Sequence, residues 1–244
     1  MGPFPDGVYR AQFPYYYRNP EGMPQEAALD YYLNSIKDVF EQCGPADSIA
    51  AIVVEPLQGE GGFIPAPIEW VKAVRKICDE NGILLVADEV QTGFCRTGRM
   101  FATQYWEEAG VQPDILATAK SIAAALKTIE IMERDDLAGC SCEIGEKVSK
   151  RFNEWKEKYP VIGDVRGLGG MIGLEFVKDQ KSKEPYPEFS AAVISGCAKK
   201  GLMIEGAGTY GNVIRFLAPL VMTDEQLEAG LDIYESVIKD LLEK

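Results

Sequence analysis

The sequence predicts an α/β fold, with a parallel-type sheet and helical crossovers in its first half and an α+β domain at its C-terminal end. Three observations carry this reading. Short apolar runs, Ile49–Val54 and Leu84–Ala87, alternate with amphipathic helical stretches, as strands buried on both faces of a parallel sheet do. Each run stops on charge: Glu55 after the first, Asp88-Glu89 after the second, and Lys120 after a third run, Pro113–Ala119. From Val161 onward the texture changes to a glycine-rich hairpin and alternating strands. In open α/β sheets ligands sit beyond the carboxyl ends of the strands, where these charges fall.

The elements follow in order. Residues 1–25 are rich in Pro, Gly and Tyr without a period and read as an extended loop; Tyr15-Tyr16-Tyr17-Arg18 packs over a surface or forms an aromatic patch. Leu29, Leu33, Ile36 and Phe40 fall on one helical stripe, which Gly44-Pro45 ends. After the strand at Ile49–Val54, Pro56–Gly62 places three glycines within four residues, giving either a flexible βα loop or a close backbone approach to a ligand. Pro67 opens a helix carrying Trp70, Val71, Val74 and Ile77, and Asn81-Gly82 closes it. The strand Leu84–Asp88 leads into a glycine-punctuated loop, Thr92–Arg99, then a helical stretch over 100–110 and the third strand.

Residues 123–158 read as helical, with a break at Asp135-Asp136 or Gly139. The hairpin Val161–Phe176, a helix at 188–200, and two strands, Met203–Glu205 and Val213–Phe216, around a Gly206–Asn212 turn come next. Thr223-Asp224-Glu225-Gln226 is a capping box for a last helix with Leu227, Leu231, Tyr234, Ile238 and Leu241 on one face. The expected division is a large-domain part over 1–136, a connecting helix over 137–159 and a small domain over 160–244.

Composition narrows the chemistry. Hydrophobic residues make up 46% of the 244, which is against wholesale disorder. A formal charge of −13 is against a nucleic-acid binder, which needs a basic face. With no histidine, catalysis by a Ser-His-Asp or Cys-His pair and histidine metal sites are excluded within this chain. The six cysteines are scattered, and Cys140-Ser141-Cys142 is too tight for usual zinc spacing, so free buried thiols in a reducing cytoplasm are expected. No apolar run reaches the roughly 18 residues of a membrane span, and no basic-then-apolar N-terminal signal is present.

Glu55, Asp88 and Lys120 would thus meet at one edge of a sheet. A lysine beside carboxylates forms a buried ion pair or serves as a Schiff-base amine. Taken together, Val54–Gly62, Ala87-Asp88-Glu89-Val90-Gln91-Thr92-Gly93 and Ala119-Lys120-Ser121 resemble the motifs of class III pyridoxal-phosphate-dependent aminotransferases, most closely those acting on 4-aminobutyrate. The resemblance continues through Val165–Gly169 and Gly208–Arg215. It implies fold type I, a partial large domain with the parallel-type sheet, and pyridoxal 5'-phosphate as cofactor. Asp88 would pair with the protonated ring nitrogen, Val90 would pack on the ring, Gln91 would bond its phenolic oxygen, and Lys120 would be the catalytic Schiff-base lysine. Arg215 would bind the α-carboxylate of the keto acid, and Glu60 would neutralise Arg215 when the substrate has none there; an ordinary salt bridge is the other reading of that pair. The implied reaction moves the amino group of an ω-amino acid to 2-oxoglutarate or pyruvate by a ping-pong mechanism, in a cytoplasmic homodimer that engages neither nucleic acid nor membrane. Another ω-amino-acid or acetylornithine donor, or a non-catalytic scaffold, is the alternative.

The sequence also departs from the family. The family's N-terminal loop for the cofactor phosphate, its ring-stacking aromatic and an arginine for the donor carboxylate have no counterpart here. The glycine-rich segment after the lysine is also missing, because Ser121–Leu126 runs directly into the next helix. The expectation is that these 244 residues alone bind the cofactor poorly.

Overall fold

The computed structural model describes residues 6–118 and 122–243, so Lys120 lies outside the described residues. Along the chain run α1 (Gln25–Gln42), β1 (Ala51–Val54), β2 (Leu57–Gln58), β3 (Ile64–Pro65), α2 (Ile68–Asn81), β4 (Leu84–Asp88), α3 (Thr103–Glu108) and β5 (Ile115–Ala117). They are followed by α4 (Ile122–Arg134), α5 (Leu137–Lys158), β6 (Ile162–Leu168), β7 (Met171–Phe176), α6 (Pro187–Lys199), β8 (Glu205–Ala207), β9 (Val213–Leu217) and α7 (Asp224–Leu242). The chain divides into two units. The first comprises Met1–Val54, Ala66–Asp88 and Tyr105–Ala117; the second comprises Glu55–Pro65, Glu89–Gln104 and Thr118–Lys244.

In the first unit β1, β4 and β5 form the predicted parallel sheet in the order β1-β4-β5, with Val54 opposite Ala87 and Asp88 opposite Ala117. Helix α2 buries Trp70, Val71, Val74 and Cys78 against Leu85 and Ala87 of β4 and Tyr32 and Ile36 of α1. Gly82 ends α2 in the left-handed region at φ +68°, where a side chain would be strained. The Asp114 carboxylate accepts from the Leu85 N–H at 2.7 Å and from Arg75 at 2.7 Å, tying α2 and β4 to the start of β5. One expectation is corrected. The apolar runs predict strands covered on both faces, yet Val53, Leu84 and Ile115 are exposed, while Val54, Leu85 and Ala87 are buried. Apolar runs mark a strand able to be covered twice, but whether the second cover exists depends on other parts of a fold.

In the second unit β6, β7, β9 and β8 form an antiparallel sheet in that order. Every residue of β7 is buried. Its core joins Val148, Phe152 and Trp155 of α5 to Leu174, Phe176, Val193, Ile214, Leu231 and Tyr234. The helical stretch breaks at Asp135-Asp136, and the Asp136 side chain accepts from the Gly139 N–H at 3.1 Å to cap α5. The Thr223–Gln226 capping box is present at the start of α7.

Strand β8 differs from its expected place. It begins at Glu205 rather than Met203, whose side chain is 92% exposed. Gly208 and Gly211 both adopt positive φ and close a tight turn, with the Gly211 N–H donating to the Gly208 carbonyl at 2.9 Å. This tight turn starts pairing at Ala207–Val213 and carries it back to Glu205–Arg215.

Among the described residues no helix is long and apolar enough to cross a membrane, and no cluster of acidic or thiol groups suits a metal ion. All six cysteines are free, and burial pushes the Cys78 and Cys197 thiols up to about 11.

Glu235 on α7 staples the second unit together. Its carboxylate accepts from Lys158 at 2.9 Å, Tyr159 at 2.8 Å and Arg151 at 3.3 Å, and pairs with Lys239 at 3.2 Å. Burial alone would raise its pKa, but these donors outweigh burial and hold it at about 2, below the usual carboxylate value. A depressed carboxylate stabilises the fold fully above its unfolded pKa and loses that contribution as pH falls through the folded value. Glu235→Gln is therefore expected to cost roughly 2 kcal/mol of unfolding free energy at pH 7. In urea titrations the gap between the two proteins should close as pH falls from the usual carboxylate range toward about 2. A gap independent of pH would refute this.

Candidate active site

The two carboxylates at the end of β4 have different tasks. Glu89 is buried and accepts from the backbone N–H groups of Ala102 at 3.1 Å and Thr103 at 2.7 Å, and from the Thr92 hydroxyl. It thereby satisfies backbone donors at the start of α3 that the helix itself leaves unpaired. Asp88 is half-buried at the carboxyl end of the sheet. Val90 follows with its apolar side chain 46% exposed.

Gln91 is held by the glycine-rich loop. A Cβ at Gly59 would fall on the Gln91 side-chain amide, which packs directly against the glycine. Glu55 is also accounted for: its carboxylate accepts from the Gly59 N–H at 2.9 Å and shapes the loop. The loop is thus not a free βα connection. Strands β2 and β3 pair as a short hairpin, and Leu57 and Phe63 bury against Met171.

The second unit places this loop over one row of residues. Across β6, β7, β9 and β8, register aligns Arg166, Gly173, Arg215 and Glu205. A Cβ on Gly173 would meet the Gly62 carbonyl at 3.1 Å and Phe63 Cβ at 3.3 Å, so the missing side chain is the seat of the loop. The flanking arginines grip it. Arg166 donates through Nε to the Gly62 carbonyl at 2.9 Å, and Arg215 donates through Nη1 to the Glu60 carboxylate. The Glu60 carbonyl in turn accepts from the Gly208 N–H at 2.9 Å. Arg166 also pairs with Asp164 at 2.9 Å and with the buried Glu175 at 2.7 Å.

The sequence-predicted site residues are therefore distributed as follows. Glu60 and Arg215 meet directly, Gln91 lies against the residue next to Glu60, and Asp88 sits at the sheet edge of the first unit. Lys120 is outside the described residues. Two residues that sequence reasoning left without a role belong to the same row: Arg166, which anchors the loop, and Glu205, which pairs with Arg215 Nη2 at 2.7 Å. The alternation of the two C-terminal strands about their glycine turn is the signal that would have placed Glu205 opposite Arg215.

A family model described as aminotransferase class-III matches residues 1–126 and 121–238. A probable 4-aminobutyrate aminotransferase of Bacillus subtilis is 37% identical over 274 residues, covering 98% of this chain and 62% of the relative. A 5-aminovalerate aminotransferase of Pseudomonas putida is 38% identical, covering 99% of this chain and 62% of the relative. Among solved structures, an amine transaminase from an uncultivated Pseudomonas species in its PLP-bound form superposes with a TM-score of 0.83 at 28% identity, covering 94% of this chain and 61% of that one. The chain thus spans about three fifths of the length of the relatives it matches.

The family match divides at residues 121–126, just after Lys120. With its parallel sheet, its motif series and these matches over nearly its whole length, the chain belongs to the class III aminotransferases.

Proposed function

We propose that this chain supplies the cofactor floor and the acceptor-carboxylate site of a pyridoxal-phosphate-dependent transaminase. The enzyme would move the amino group of an ω-amino acid, 4-aminobutyrate foremost, to 2-oxoglutarate or pyruvate. The observation that carries the reading is the Glu60–Arg215 pair, because an arginine masked by a carboxylate on a loop suits two substrates of different charge. When the bound molecule carries an α-carboxylate, Glu60 yields and Arg215 grips the anion; when it carries none there, Glu60 keeps the guanidinium neutralised.

Bound pyridoxal phosphate supplies an electron sink for the substrate carbon that loses its proton. The chain's own residues do the rest. Asp88 would hold the cofactor at its ring nitrogen, Val90 at the ring face and Gln91 at the phenolic oxygen, and the Lys120 amine would take up and return the proton of the substrate carbon. A homodimer in the cytoplasm is part of this proposal, on the family likeness.

The B. subtilis and P. putida relatives are named for different donors and are equally similar to this chain, so donor choice is put to experiment. Half-reactions of the cofactor-loaded protein with 4-aminobutyrate, 5-aminovalerate and N-acetylornithine are followed by cofactor absorbance. 4-Aminobutyrate is expected to react fastest. Reaction with none of the ω-amino acids would reject the proposal.

A further inference from the structure

The geometry points to Glu205 as a specificity-determining residue, a second carboxylate gate on Arg215 that acts against α-carboxylate substrates. The inference rests on the reading of Arg215 as the carboxylate-binding group and extends it to a residue on another strand.

Arg215 is 15% exposed and makes two separate ion pairs, Nη1 with Glu60 and Nη2 with Glu205 at 2.7 Å. Its Nε is buried without a hydrogen-bond partner among the described residues. A carboxylate can grip a guanidinium in bidentate fashion along one of two edges, Nη1–Nη2 or Nε–Nη2, and burial of Nε closes the second to an incoming anion. Both edges include Nη2, the nitrogen that Glu205 holds. Withdrawal of Glu60 alone therefore frees Nη1, but one of the two Nη2 N–H groups stays with Glu205, whose charge remains beside the arriving carboxylate. Charge acts in the same direction: two carboxylates on one guanidinium leave a net negative group, which repels an incoming anion until one of them leaves.

The two glutamates are held differently. Glu60 arrives on a loop seated over Gly173, whereas Glu205 stands directly across the β8–β9 ladder from Arg215, so sheet register fixes its place. Glu205 is also 71% exposed and can turn into solvent at small cost, so it weakens acceptor binding without forbidding it. A substrate with no carboxylate at Arg215 leaves both pairs intact and is not penalised.

The test is calorimetric titration of the full chain with 2-oxoglutarate at low salt, for the unchanged protein, Glu205→Gln, Glu205→Ala, Glu60→Gln, the Glu60→Gln/Glu205→Gln double variant and Arg215→Met. Both Glu205 variants are expected to bind about 3- to 5-fold more tightly, as loss of an exposed charge pair allows. The double variant should bind more tightly than either single glutamine variant, and Arg215→Met should lose binding. In the loaded enzyme the KM for 2-oxoglutarate should fall in Glu205→Gln while that for the ω-amino donor stays unchanged, a split that general structural damage would not produce. Unchanged or weaker binding in the Glu205 variants, with binding still lost in Arg215→Met, would overturn the gate and leave the carboxylate role of Arg215 standing. Binding that survives in Arg215→Met would overturn that role itself. No binding in any variant, the double variant included, would overturn both.

Discussion

Replacing Lys120 by alanine is expected to lower amino-group transfer by roughly 10³-fold or more, the scale on which loss of a central catalytic group acts. In the proposed reaction its amine has two tasks that no other residue of the motif series can take over. It would hold the cofactor covalently, by condensation with loss of water, and when free it would take up and return a proton at the substrate carbon. Asp88, Gln91 and Glu60 carry no amine, and Arg215 offers a guanidinium instead. The decisive measurement is a single-turnover rate with 4-aminobutyrate, with and without added ethylamine. A small free amine should restore part of the rate, because it can fill the space of the deleted side chain and carry the proton. A variant that retains a tenth of the original rate without the amine would rule out this role for Lys120.

Arg166→Met should produce the largest loss of stability, about 3–5 kcal/mol, because it removes the guanidinium that pairs with a buried carboxylate. Glu175 is fully buried on β7 and accepts from Arg166 at 2.7 Å and from the Asn212 side-chain amide at 3.3 Å. A neutral amide cannot offset a buried negative charge as a guanidinium does. Urea unfolding of the variant measures the loss. Adding Glu175→Gln should recover much of it, since the desolvated charge is then gone. A loss below about 1 kcal/mol would show that Glu175 is satisfied without Arg166. The substitution also removes the donor to the Gly62 carbonyl, so the loop carrying Glu60 should loosen. Weaker neutralisation of Arg215 would then appear as tighter binding of 2-oxoglutarate at temperatures where the variant remains folded.

These two residues mark the division between what local sequence conveys and what it does not. Lys120 closes an apolar run after two runs that close on carboxylates, a pattern that leaves an ion pair and a Schiff-base amine both open; the family resemblance assigns it the second. Arg166 sits in a motif that the family resemblance covers, yet nothing near it in the chain says that it faces Glu175, nine residues on, and Gly62, more than a hundred residues back. Asp88 and Glu89 show the same limit at closer range. Their order identifies a strand end with spare charge, but only packing shows that Glu89 is spent on the backbone of Ala102 and Thr103.

Most of the fold was determined locally. The parallel strands, the glycine stop of α2, the break at Asp135-Asp136 and the capping box of α7 depend on apolar spacing, backbone freedom and caps within a few residues of one another. Other features arose from long-range pairing. The row of Arg166, Gly173, Arg215 and Glu205 depends on the register of four strands, and a shift of one residue would turn each side chain to the opposite face. The sequence by itself thus determined which chemical groups the chain carries and the strand ends on which they stand. Tertiary structure decided which of them meet, because a glycine at the centre of that row lets the Glu60 loop descend between two arginines, and a tight glycine turn brings Glu205 opposite one of them.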